Sequence, residues 1–166
     1  MPWPDQPAAC FVTDNTRRPT ARLRTCPKAL TAYTAPMKIQ LLSDLHLEAH
    51  PHFVPEPAPG ADVLVLAGDI GSYQEGGQLG DEDFGLARFS PLPQWGAWPT
   101  PVLFVPGNHE YDAQDFDEAH QRLRRTCDKL GIAWLERETL VLDQVRFVGT
   151  TLWSDFDALA DHEQTD

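Results

Sequence analysis

The sequence predicts an α/β fold with mixed sheets, and three observations carry that prediction. Apolar runs of strand length recur from Met37 onward, each ending in Gly or polar residues. A helical period fills residues 115–130, and two alternating runs flank Asp143 and Gln144. Buried parallel strands read as near-continuous apolar runs, whereas half-buried hairpin strands alternate, so two kinds of strand pairing are expected in one domain.

The first apolar run is Lys38 to Leu42, closed by Ser43 and Asp44; the second is Asp62 to Ala67, closed by Gly68 and Asp69. The third is Pro101 to Val105, closed by Pro106, Gly107, Asn108 and His109. Open α/β sheets gather functional groups at the C-terminal ends of their strands, and each run delivers a candidate ligand there. Residues 71–99, rich in Gly, Pro and aromatic residues, read as a surface loop framing the site, with at most a short helix around Asp83 to Phe89.

Asp115 to Leu130 follows as a helix. Phe116, Ala119, Leu123, Cys127 and Leu130 keep helical spacing, acids crowd the first turn, and Gly131 supplies the stop. Its Arg122, Arg124 and Arg125 read as a solvated face. Ile132 to Leu135 is a short strand, and Thr139 to Leu142 with Val145 to Val148 form a hairpin that would turn the sheet from parallel to mixed.

Length and composition suit one domain: 166 residues, 42% hydrophobic and 23% charged. Residues 1–36 hold six Pro and a net charge of +3, without apolar periodicity, and read as a disordered or misassigned extension, with Met37 an alternative start. That leaves −15 of the total −12 for residues 37–166, an acidic body that repels nucleic-acid backbones and anionic membranes. Apolar runs are too short to cross a bilayer, and three scattered cysteines suggest a reduced, cytoplasmic setting.

Asp44 and His46 stand two apart at a strand end, a spacing that lets both side chains face one cation. Asp69 follows a turn glycine, where its carboxylate can bridge two cations. Gly107, Asn108, His109 and Glu110 form a tetrapeptide expected by chance on the order of once in a thousand chains of this length. Asn offers a neutral oxygen ligand and His a proton donor beside it. Read singly, each motif also fits an ordinary turn or a helix cap.

Taken together, Asp-x-His, Gly-Asp and Gly-Asn-His-Glu at successive strand ends resemble the calcineurin-like metallophosphoesterase family. The text of Ser43 to Glu48, Ala61 to Ile70, Val105 to Tyr111 and Gly149 to Phe156 (GTTLWSDF) is similar to its uncharacterised bacterial branch, over about residues 37–157. The resemblance implies a calcineurin-like sandwich of mixed β-sheets flanked by helices, with only its N-terminal portion in this chain. It also implies two divalent metal ions, drawn from Mn, Fe, Zn, Co or Ni, and a phosphate-ester substrate. Asp44 and His46 would bind the first metal, Asp69 would bridge both, and Asn108 would bind the second. His109 would protonate the leaving group or stabilise the phosphoryl oxygens during attack by a two-metal-activated hydroxide.

Two departures follow from the comparison. Where family members place an acidic orienter for this histidine, three residues after the bridging Asp, this chain has Ser72. The strand-end His and the Gly-His-x-His motif of the family's second half are also absent from a chain that ends within ten residues of Phe156. His50, His52, His120 and His162 read as loop, solvated or terminal residues and do not replace them. One expectation is therefore an enzyme, a phosphomonoesterase or phosphodiesterase, whose missing ligands lie downstream in the gene or come from elsewhere; the other is a catalytically inactive remnant or interaction module.

Overall fold

Each of the three apolar runs becomes a strand: β1 (Ile39–Leu42), β2 (Val63–Ala67) and β3 (Val102–Val105). With the short β4 (Ala133–Trp134) they make a four-stranded sheet in the order β1-β2-β3-β4, parallel at every neighbouring pair. The register sets Leu42 beside Leu66 and Ala67 beside Val105, so the three strands finish level with one another. The loops that follow them therefore start along one edge of the sheet. These features come from a computed structural model that describes residues 36–80 and 82–154, all within the compact unit Ala35–Asp166. The expected extension over residues 1–36 lies, except for Pro36, outside the described residues, as do Cys10, Cys26 and His162.

The β3–β4 crossover is α1 (Phe116–Leu130), whose ends match their sequence signals. Asp115 caps the N-terminus by accepting from the Glu118 N–H at 3.1 Å, and Gly131 leaves the helix at φ 67°, in the left-handed region glycine tolerates. Replacing the cap by Asp115→Ala should cost about 1 kcal/mol in urea unfolding, with no change of fold. Ala119, Leu123, Cys127 and Leu130 form the buried stripe, and burial pushes the Cys127 thiol pKa up. Phe116 departs from that stripe. It is half-exposed and stacks on Tyr111 at a ring separation of 4.6 Å.

Two further readings of this region change. His120 is partly buried, with its Nδ1 3.2 Å from the Tyr111 hydroxyl and its ring edge-on to Trp134. Arg122 lies over the rings of Tyr73 and Phe84 and donates to the Glu82 carbonyl at 3.2 Å, whereas Arg124 forms an exposed ion pair with Glu138. A guanidinium has a flat, weakly hydrated face, and so it packs readily on aromatic rings.

Residues 71–99 contribute more than a surface frame. Phe84, Leu86, Phe89 and Trp98 join Leu64, Leu66 and Phe104 of the sheet and Leu123, Cys127 and Leu130 of α1 in the main core. Full burial of each such side chain is worth about 1.5–3 kcal/mol, which anchors a segment whose only helical turn is the 3-10 turn Leu86–Phe89 among its described residues.

The opposite face of the sheet is covered by a hairpin, β5 (Glu138–Leu142) and β6 (Val145–Gly149). Asp143 and Gln144 both take positive φ, 46° and 69°, the backbone of a two-residue turn whose twist suits a hairpin. Leu140, Leu142 and Phe147 pack against Val63, Leu103 and Leu135. The hairpin forms its own two-stranded antiparallel sheet, so the parallel sheet itself stays unmixed; a bridge from Glu136 to Gly149 ties the hairpin's end to the segment after β4. Among the described residues, no helix is long and apolar enough to cross a membrane.

Candidate metal centre

Three of the sequence-selected side chains meet at the level strand ends. His46, Asp69 and His109 each offer one ligand atom, and those atoms lie within 4.8 Å of one another. The two imidazole rings are 5.0 Å apart and nearly perpendicular. All three residues are partly exposed, which leaves the cluster open to a cation and to solvent.

The backbone there is held in costly conformations. Asp44, His46 and Asp69 take φ of 53°, 46° and 54°, where a side-chain-bearing residue costs about 1 kcal/mol or more. Hydrogen bonds between the loops after β1 and β2 hold them there: Asp44 N–H donates to Gly68 O at 3.0 Å and His46 N–H to Asp69 O at 3.1 Å. The loops after β2 and β3 approach just as closely. A Cβ built on Gly68, itself at φ 87°, would sit 2.8 Å from the Gly107 Cα, and one on Gly107 would run into the Asp69 carboxylate. Glycine at these two motif positions is therefore a condition of the loops meeting at all.

Buried and partly buried carboxylates fix the histidines and the loops. Glu48 Oε1 lies 3.0 Å from His46 Nδ1, and Asp112 Oδ2 lies 2.6 Å from His109 Nδ1. An ionised carboxylate only accepts, so both contacts place the ring proton on Nδ1 and turn Nε2 free. The His109 backbone N–H also donates to Asp69 Oδ1 at 3.0 Å, which ties the third loop to the second. Glu110, fully buried, accepts from the N–H groups of Asp69 (3.0 Å), Ile70 (2.6 Å), Gly71 (3.4 Å) and Gly107 (2.7 Å).

Electrostatics follow from this arrangement. Desolvation works against the His109 proton, but the Asp112 hydrogen bond and the charges of Asp112, Asp69 and Glu48 outweigh it and raise the imidazole pKa above its ordinary value. Burial raises the Glu110 carboxyl pKa, partly offset by the N–H donors of Ile70, Gly107 and Asp69.

Asp44 stands at the same edge, exposed, but outside the cluster of three. β1 has ended at Leu42, and both Asp44 and His46 are left-handed, so the alternation of a strand no longer governs where their side chains point. Asn108 heads the 3-10 turn His109–Tyr111, exposed, and its side chain makes no capping hydrogen bond. It lines a groove with Tyr111, Asp112, Leu152, Trp153 and Ser154. Thr151 of the GTTLWSDF segment donates from its hydroxyl to the Pro106 carbonyl at 2.7 Å, joining the end of the hairpin to the loop after β3.

Sequence reasoning gave no individual role to Glu48, Glu110 or Asp112. The signal available for Glu48 and Asp112 was a carboxylate two or three residues after each motif histidine, whereas Glu110 directly follows His109. Ser72, at the position of the family's acidic orienter, has a buried hydroxyl with no hydrogen-bond partner among the described residues.

Parallel strands, three loops drawn to one edge, and two imidazoles meeting a carboxylate define an α/β protein whose strand-end site has the composition of a metal centre. The chain belongs to the calcineurin-like phosphoesterase family, whose profile matches residues 37–162. A stretch of 59 residues is 34% identical to an uncharacterised protein of Acanthamoeba polyphaga mimivirus, covering 32% of this chain and 21% of that protein. The chain thus matches about a fifth of that relative's length. No solved structure matches.

Proposed function

We propose that the protein is a metal-dependent hydrolase of phosphate esters, acting on a monoester or a diester. The observation that carries this reading is the meeting of His46, Asp69 and His109 at the strand ends of a calcineurin-like phosphoesterase chain. In this reading Asp44, His46, Asp69 and Asn108 hold two divalent cations, with Asp69 shared. Two kinds of donor, neutral nitrogen and oxygen, suit Mn, Fe, Zn, Co or Ni without selecting among them. Cations held there would supply Lewis acidity toward the phosphoryl oxygens and lower the pKa of the attacking water.

The chain's own side chains supply orientation and the proton. His109 presents Nε2 to the site because Asp112 occupies Nδ1, and an imidazolium in that pose can protonate the departing oxygen. Asp112 thereby does from the same turn what Ser72 cannot do from the loop after Asp69. The raised His109 pKa keeps that proton available to a higher pH than an ordinary imidazole would.

The test is hydrolysis of p-nitrophenyl phosphate and bis-p-nitrophenyl phosphate by metal-stripped protein with each of the five cations restored in turn. Turnover with at least one of them, reduced to the metal-free level in Asp69→Ala, is the expected result. Folded wild type without turnover under any of them would remove the enzyme reading. A second reading, an interaction module without catalysis, draws on exposed apolar side chains of β1, the edge strand among the described residues, where Ile39 and Leu41 are 49% and 63% exposed. Concentration-dependent self-association or aggregation in an inactive protein would favour it.

A further inference from the structure

We propose that Glu48 is the positioning residue for His46, setting which ring nitrogen the metal centre receives; this rests on the metal-dependent reading above. Glu48 is 2% exposed, and a carboxylate that far from water is costly unless its oxygens are satisfied. They are satisfied from two directions. Oε2 accepts the Ser72 N–H at 3.1 Å, and Oε1 takes the Gln74 side-chain amide at 3.3 Å together with His46 Nδ1 at 3.0 Å. The carboxylate is thus anchored in the loop after β2 while it grips a ring from the loop after β1.

The consequence for His46 is chemical as well as steric. A neutral imidazole carries one proton, and the acceptor at Nδ1 keeps it there, so the Nε2 lone pair is the one offered to the cluster. The backbone of His46 is independently pinned by its N–H bond to the Asp69 carbonyl, so only ring rotation and tautomer remain to be set. Glu48 sets both. Glutamine at this position keeps the size but can turn either its carbonyl or its amide toward Nδ1, and the amide selects the wrong tautomer. Partners of metal-binding histidines typically alter affinity by about 10- to 100-fold when replaced.

The experiment is Zn²⁺ binding to the metal-free full chain, by competition with a chromophoric chelator, for wild type, Glu48→Gln, His46→Ala and the double variant. Glu48→Gln should weaken binding about 10- to 100-fold. In the His46→Ala background the same change should add no more than about 2-fold, because its effect runs through that ring. Equal affinity in wild type and Glu48→Gln, or an equal loss with and without His46, overturns the proposal. Wild type that binds neither Zn²⁺ nor, in the same assay, the ions of Mn, Fe, Co or Ni removes the metal reading together with the inference, whereas tight binding indifferent to Glu48 removes the inference alone. Should Glu48→Gln fail to fold, nitrogen-15 spectra of the wild-type histidines still decide. His46, assigned by its loss in His46→Ala, must show a protonated Nδ1 at alkaline pH, and a bare Nδ1 overturns the proposal.

Discussion

Glu110→Gln is expected to lower unfolding stability by about 2–5 kcal/mol, measured by urea denaturation, and to loosen the site before the protein unfolds globally. The wild-type carboxylate faces four backbone N–H groups with two accepting oxygens. Glutamine keeps the size but replaces one oxygen by an NH2 group. Oriented one way, it opposes the donors of Asp69 and Gly107; oriented the other way, those of Ile70 and Gly71. Each buried donor left facing a donor costs about 1–3 kcal/mol, a large share of the roughly 5–15 kcal/mol by which a domain is stable. The affected amides belong to the loops after β2 and β3, so hydrogen exchange at Asp69 to Gly71 and at Gly107 should accelerate more than exchange in α1. Uniform acceleration across the chain, or no loss of stability, would contradict the clamp.

The distances spanned by these clamps explain how much could be read in advance. The three strands, the hairpin turn and the limits of α1 were legible because their signals are local: an apolar run with a turn behind it, Asp115 three residues before Glu118, Gly131 after the last turn. The approach of Gly68 to Gly107 was not, since it joins loops 39 residues apart and is visible only once the register of β2 on β3 is known. Glu110 was hidden in another way. It sits inside a tetrapeptide that reads as ligand text, yet its partners Asp69 and Ile70 are 41 and 40 residues away. Residues 71–99 misled through composition, because Gly and Pro announce a loop while Phe84, Phe89 and Trp98 bury like core residues. Strand periodicity could not place the side chains of Asp44 and His46, because it lapses once both residues turn left-handed beyond the strand.

Asp112 carries the last expectation, and it separates two roles for His109. If His109 is the proton donor, Asp112→Asn should slow hydrolysis of esters with alkyl leaving groups by about 10- to 100-fold, within the 10²- to 10⁴-fold span of general acid catalysis. Esters with activated aryl leaving groups, which depart without a proton, should change little. Asparagine can present its amide to Nδ1 and so select the imidazole with its proton on Nε2, leaving the ring without the charge that Asp112 stabilises. The effect must vanish in the His109→Ala background, to within about 2-fold, since a residue acting through another adds nothing once that other is gone. Metal content decides the remaining question. The convergence of His109 with His46 and Asp69 also suits a third ligand of a single cation, and then His109→Ala would lose bound metal along with activity on every substrate. Retained metal with selective loss toward alkyl esters assigns the proton; lost metal with uniform loss assigns the ligand.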